Sequence, residues 1–157
     1  FGSGLVVPGT GIALQNRGTM FSLNEEDANS LGPGKRSYHT IIPGFITKDN
    51  RPLGPFGVMG GYMQPQGHLQ VIRNMLDYDL NPQAALDAPR WRWEEGKNIV
   101  IEKDFPSSQA KELSRKGHKI DVSLDSGGFG RGQIILKFDD ALVGGTEPRT
   151  DGQIAAF

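Results

Sequence analysis

The chain has 157 residues, 17 basic and 18 acidic, for a net charge of −1, with no long run of like charge. This excludes an electrostatic nucleic-acid footprint and a polybasic membrane patch, and leaves small molecules as the expected partners. No apolar segment reaches the roughly 18 residues that span a bilayer, and the absence of cysteine excludes disulfides, thiolate metal sites and a cysteine nucleophile while leaving the compartment open. The first residues show neither an initiator Met nor a basic region followed by a long apolar core, so they read as the middle of a domain rather than a signal peptide. The 22 glycines lie among apolar segments rather than in a low-complexity tract, which predicts many tight turns between short strands.

In chain order, Leu5-Val6-Val7 and Ile12-Ala13-Leu14 flank Pro8-Gly9-Thr10-Gly11 and predict a β-hairpin. Residues 24–36 are polar, contain Pro33 between two glycines, and predict a surface loop. A strand is expected over 41–46, with Pro43 marking a bulge or an edge. Lys48-Asp49-Asn50-Arg51 then reads as a hairpin tip leading to a strand that ends at Met59. Beyond a glycine cluster, Leu69, Ile72, Leu76 and Leu80 recur at helical spacing, with Val71 and Met75 as a second row, predicting an amphipathic helix packed on a sheet. Asn81-Pro82 supplies an N-cap and a first-turn proline for a short helix over 83–87. Residues 99–101 predict a strand, 107–116 a helix capped by Gly117, and 120–122 another strand. Two final strands, both expected to be buried, flank Lys137-Phe138-Asp139-Asp140. Strands, then helices, then a closing hairpin predict one α+β domain over 1–157, an antiparallel sheet covered by helices.

Gly57 to His68, GVMGGYMQPQGH, carries four glycines at a strand-to-helix junction. The Gly60-Gly61 pair lacks the spacing of either nucleotide-binding glycine motif. Two successive backbone amides near a helix N-terminus can stabilise an oxyanion, or can simply make a turn. Ser37-Tyr38-His39-Thr40 places hydroxyls and an imidazole at a strand entrance, where they can hold a carboxylate or carbonyl; His39 can equally just cap the strand end. His68 is expected as an exposed residue of the helix N-terminus and His118 as a loop residue. The three histidines show no ligand spacing, so no metal site and no cofactor are expected. Trp91 and Trp93 would point the same way in an extended segment, lining a pocket or packing structurally.

Together these segments resemble the C-terminal subunit of the γ-glutamyltranspeptidase family, a branch of the N-terminal-nucleophile hydrolases. Phe1-Gly2-Ser3-Gly4 is similar to the subunit's FGSG or FGTG hairpin start. Thr10-Gly11-Ile12 and Leu14-Gln15-Asn16 are similar to its TGI and LNN, and Arg36 to Pro43 falls where the family writes RPLSSMSP. Met59-Gly60-Gly61 stands at its PGG, Ala88-Pro89-Arg90 at its APR, and Glu147-Pro148-Arg149 at its DPR. The resemblance implies an α+β fold of the αββα sandwich type. It also implies an autoprocessed amide hydrolase or acyltransferase whose N-terminal threonine attacks the amide with its own α-amine as base. That threonine is expected before Phe1, so this chain supplies no nucleophile of its own. The partners implied are the N-terminal region of the same precursor and a small-molecule amide, with the oligomeric state open and a homo-oligomer compatible. A noncatalytic fragment that only completes the fold is the alternative.

By resemblance, Gly60 and Gly61 supply the oxyanion-hole amides, glycine leaving room for the tetrahedral intermediate. His39 and Thr40 occupy the place of the serine pair that holds the substrate α-carboxylate. Where the family writes LNNQMDDF to bind the glutamyl ammonium, QNRGTMF puts Arg17 at the Gln and Met20 at the Asp. An ammonium would meet a guanidinium and a thioether there. Arg17 therefore implies an acyl group ending in an anion, as in oxamate-like amides or glutaryl side chains.

Overall fold

The computed structural model describes residues 2–156; Phe1, the first letter of the FGSG motif, lies outside them. The chain forms two compact units, the first running to Thr40 and the second starting at Ile41.

In the first unit, β1 (Gly2–Val6) pairs antiparallel with β2 (Ala13–Gln15), as the sequence predicts. Gly9 and Gly11 have φ of 75° and 70°. Between them Thr10 donates its N–H (3.2 Å) and its hydroxyl (2.9 Å) to the Val7 carbonyl, closing the turn. A single 3-10 turn, Arg17–Met20, follows. Residues 24–36 form the expected loop, in which Lys35 Nζ donates to the Ser30 carbonyl (3.2 Å) and hydroxyl (3.0 Å).

The second unit is built on a four-stranded antiparallel sheet in the order β3 (Gly44–Lys48), β4 (Arg51–Met59), β8 (Arg131–Phe138), β9 (Ala141–Thr146). The first of these strands begins after Pro43, not at residue 41, because a residue without an N–H cannot donate to the ladder. Asp49 and Asn50 take φ of 51° and 59°, the left-handed pair that a two-residue hairpin matching strand twist requires. Helices α1 (Gln64–Leu76) and α2 (Pro82–Asp87) cover one face of this sheet. The Asn81 side chain caps α2 by accepting the Ala84 N–H at 2.9 Å.

Of the two apolar rows on α1, the buried one is the second. Gly67, Val71 and Met75 face the sheet and join Val58, Leu86 and Ile134 in the core, whereas Leu69 and Leu76 are exposed; the helix ends at Leu76, so Leu80, expected in its first row, lies beyond it. A β-carbon on Gly67 would lie 2.7 Å from Val58 Cγ1, so the glycine sets the helix down on the strand and thereby picks the face. The last two strands are only half buried: Ile134 faces the core, while Ile135, Leu142 and Phe45 line the opposite, open face.

A second sheet, β5 (Trp91–Glu95), β6 (Asn98–Glu102) and β7 (Lys119–Ser123), is mixed rather than antiparallel. Helix α3 (Ser107–Arg115) carries the chain back so that β6 and β7 run parallel, the outcome a helical crossover dictates. It ends in a Schellman motif, with Gly117 N–H on the Ser114 carbonyl (2.9 Å) and His118 N–H on that of Leu113 (3.1 Å).

Candidate active site

Strand β4 delivers the chain into the glycine turn. Gly60 has φ 154° and ψ 36°, and Gly61 has φ 57°, both regions that side chains other than glycine's rarely adopt. The Gly60 carbonyl accepts the Met63 N–H at 3.0 Å and the Gly61 carbonyl accepts that of Gln64, closing a 3-10 turn, Gly61–Met63, that runs straight into α1. The carbonyls are thus used within the turn, while the first amides of a helical stretch have no intrahelical acceptor and sit at its positive end. Space is a reason for glycine at one position only. A β-carbon on Gly60 would lie 3.0 Å from Gly130 Cα, whereas one on Gly61 would meet nothing within 4 Å. Backbone conformation therefore accounts for glycine at both positions.

Behind this turn lies a charge cluster that sequence reasoning missed as a unit, although it quoted three of its members as motif letters. Arg90 is 1 % exposed and Glu147 1 %. They pair at 2.9 Å, and Arg149 reaches the other Glu147 oxygen at 2.7 Å while gripping both oxygens of Glu102. Arg90 Nη1 also donates to the carbonyls of Phe129 (3.0 Å) and Gly130 (3.1 Å), so the cluster holds the backbone against which Gly60 packs. Glu147 accepts the Gly132 N–H at 2.6 Å. Burial by itself raises the Glu147 carboxyl, but the Arg149 hydrogen bond, the Arg90 charge and the Gly132 N–H outweigh it and hold the carboxyl below its ordinary value. Burial lowers Arg90, and the neighbouring Arg149 adds to this despite Glu147. Burial also lowers Arg149, but its bonds to Glu102 and Glu147 outweigh that and raise it. One carboxylate shared by two guanidinium groups gains from both, while each guanidinium feels its twin. Two Pro-Arg pairs, Pro89-Arg90 and Pro148-Arg149, were the available sequence signal.

The candidates for holding the substrate, Arg17, His39 and Thr40, lie in the first unit. Arg17, at the start of its 3-10 turn, donates from Nη1 to the Thr40 hydroxyl at 2.7 Å, and Thr40 is buried at 8 % exposure. Residues 23 apart in sequence are thus brought together, and His39 beside them is exposed. His68 is half-buried, not exposed: its ring lies 5.1 Å from that of Phe56, and burial lowers its pKa. His118 follows the end of α3. Trp91 and Trp93 lie in one strand but line different hollows. Among the described residues no group of three His, Cys, Asp or Glu side chains is placed to hold a metal ion.

The fold is that of the N-terminal-nucleophile hydrolases, with mixed helices and sheets. The family model for gamma-glutamyltranspeptidase matches residues 1–157, and the chain belongs to that family. A cephalosporin acylase from Bacillus halodurans superposes with a TM-score of 0.95 at 64% identity, over 99% of this chain and 30% of that one. A Pseudomonas nitroreducens gamma-glutamyltranspeptidase complexed with L-DON superposes with a TM-score of 0.85 at 27% identity, over 100% of this chain and 88% of that one. Among curated relatives, the glutathione hydrolase-like YwrD proenzyme of Bacillus subtilis is 38% identical over 97% of this chain and 30% of its own length. The oxamate amidohydrolase proenzyme of Klebsiella pneumoniae is 32% identical over 100% of this chain and 31% of its own length. The chain therefore spans about a third of the proenzymes it matches.

Proposed function

We propose that this chain forms the C-terminal part of one domain of an autoprocessed amide hydrolase or acylase, and that it works with the N-terminal region of the same precursor. The observation that carries the reading is the Gly60–Gly61 pair, two glycines of positive φ opening the 3-10 turn that leads into α1, in a chain of this family. Their amides receive the oxyanion. A threonine located before residue 1 acts as the nucleophile: its hydroxyl oxygen bonds to the amide carbon, its α-amine takes the proton and passes it to the departing nitrogen, and the C–N bond breaks. Water then hydrolyses the ester and restores the hydroxyl. Losing one oxyanion donor typically removes about 3 kcal/mol of transition-state stabilisation.

The acyl group ends in an anion. Arg17 has several N–H groups beyond the one given to Thr40, and a guanidinium with a fixed hydroxyl beside it suits a carboxylate rather than an ammonium. His39 serves the same end of the substrate. Acylase and oxamate amidohydrolase relatives favour this reading over strict γ-glutamyl specificity. The test uses the full-length processed protein on glutaryl and γ-glutamyl anilides, which differ chiefly in the α-amine. A higher kcat/KM for the glutaryl compound is expected; a clear preference for the γ-glutamyl compound would remove the role given to Arg17. Absence of hydrolysis of any amide by processed protein would instead favour a noncatalytic, fold-completing part.

A further inference from the structure

Helix α1 carries two glutamines one turn apart, Gln66 and Gln70, that the proposed chemistry has not used. A glutamine amide offers an NH2 donor and a carbonyl acceptor, the same pair of groups that a strand edge presents. Among the described residues, strand β5 pairs with β6 alone, and the two glutamines stand along its other edge in place of a further strand. Gln66 donates to the Trp93 carbonyl (3.1 Å) and accepts the Trp93 N–H (2.7 Å). Gln70 does the same for Trp91 (2.9 and 3.0 Å) and also donates to the Gln66 carbonyl (3.1 Å). Four residues of helix advance about 6 Å and two residues of strand about 6.6 Å. Both clips therefore form together in one register of helix against strand, and sliding breaks both.

That register bears on the glycine turn because α1 begins there. The Gly60 and Gly61 carbonyls accept the N–H groups of Met63 and Gln64, so turn and helix move as one piece. Burial of Val71 and Met75 holds α1 down on the sheet, but apolar packing is non-directional and resists sliding or rotation only weakly. Hydrogen bonds are directional and supply what packing lacks. Strand β5 is itself anchored at its start by Arg90, whose N–H donates to Glu102 (2.7 Å) and whose guanidinium holds the Phe129 and Gly130 carbonyls. Gly130 is the neighbour against which Gly60 packs. The backbone beside Gly60 and the helix that follows Gly61 are thus both located from one short stretch, residues 90–93.

We propose that Gln66 and Gln70 are positioning residues for the amide hydrolysis, holding α1 in the register at which the Gly60 and Gly61 amides meet the oxyanion. The inference rests on the reading of Gly60 and Gly61 as oxyanion donors. Neither glutamine touches the substrate; their effect passes through the helix to the turn. Glutamines that only covered an open strand edge would govern stability and self-association, and would leave turnover by the folded protein unchanged.

The test uses full-length processed protein and whichever of the glutaryl and γ-glutamyl anilides it cleaves faster. Gln66→Leu keeps the bulk of the side chain and removes both bonds to Trp93. Its kcat is expected to fall roughly 10- to 100-fold, the scale of a displacement of about 1 Å in a catalytic group. Its KM should stay within about threefold, since oxyanion donors act mainly in the transition state. Gln70→Leu, one turn farther from the glycines, should lower kcat less. Gln66→Glu adds a pH signature that an edge cover would not show. The ionised carboxylate accepts the Trp93 N–H but cannot donate to the carbonyl, whereas the protonated carboxyl does both. The ratio of its kcat to that of the parent at the same pH should therefore rise between about pH 8 and about pH 5, towards the carboxyl range. A Gln66→Leu kcat within twofold of the parent, in protein of matching circular dichroism, would overturn the positioning role and leave the amidase reading in place. Should Gln66→Leu fail to fold, the Gln66→Glu ratio decides alone, and a flat ratio overturns the proposal. A processed parent that cleaves neither anilide would sink the amidase reading and this inference with it.

Discussion

The glycine turn and the charge cluster behind it lie in contact through Gly130, yet they are specified in opposite ways. At Gly60 and Gly61 the chain omits side chains so that the backbone can take conformations of positive φ and present its amides. At Arg90, Glu102, Glu147 and Arg149 it buries four charged side chains and pairs them with one another and with backbone carbonyls, although the buried Arg90 Nε has no hydrogen-bond partner. The first arrangement is open to glycine and strained for other residues, and the second is stabilised only when complete. A proposed catalytic element of this kind, held against a buried ionic scaffold, keeps its shape because the scaffold leaves its neighbour Gly130 nowhere to move.

The cluster offers the largest effects. Glu147→Gln leaves Arg90 buried without a counter-charge, while Arg149 keeps Glu102, and is expected to destabilise the protein by about 3–5 kcal/mol, the range for breaking a buried pair. Urea denaturation of the full-length protein measures this, and a loss under 1 kcal/mol would show that the cluster is not the scaffold described.

Gly60→Ala comes next. Its φ of 154° and the 3.0 Å approach to Gly130 Cα predict a loss of about 1–3 kcal/mol together with a fall in kcat, followed by thermal unfolding and steady-state kinetics. Gly61 sharpens the contrast. With a φ of 57° and open space around it, Gly61→Ala should cost only about 1 kcal/mol, and Gly61→Asn less, because asparagine tolerates the left-handed region. If Gly61→Asn unfolded the protein as readily as Gly60→Ala, conformation alone would not explain glycine there.

The smallest effect is pH-dependent. The folded-state pKa of Glu147 lies below its ordinary value, so its contribution is fully present above the ordinary carboxylate range and is lost as pH falls through the folded pKa. Acid titration of stability should therefore show a steeper decline in the parent than in Glu147→Gln below about pH 4, the unperturbed carboxylate range. Identical slopes would contradict the direction of that shift.

Elements with local signals were legible in the sequence. The hairpin tip at Asp49-Asn50, the Asn81-Pro82 start of α2 and the Gly117 end of α3 all follow from turn and cap chemistry, which a few adjacent residues settle. The face of α1 was not, because two apolar rows compete on that helix and only the close approach at Gly67 decides between them. The parallel pairing of β6 with β7 was hidden for a similar reason, since strand direction belongs to the connection and not to the strand.

For the candidate site the division is the same. The sequence by itself determined the family, through the order of short motifs, and it singled out Gly60, Gly61, Arg17, His39 and Thr40. Tertiary structure alone decided that Arg17 meets Thr40, that Arg90, Glu102, Glu147 and Arg149 form one cluster, and that Gln66 and Gln70 clip β5 to α1. The physical reason is range: a turn is fixed by the φ angles of two or three neighbours, whereas a buried charge is acceptable only if partners arrive from elsewhere in the chain, and no local pattern records which ones do.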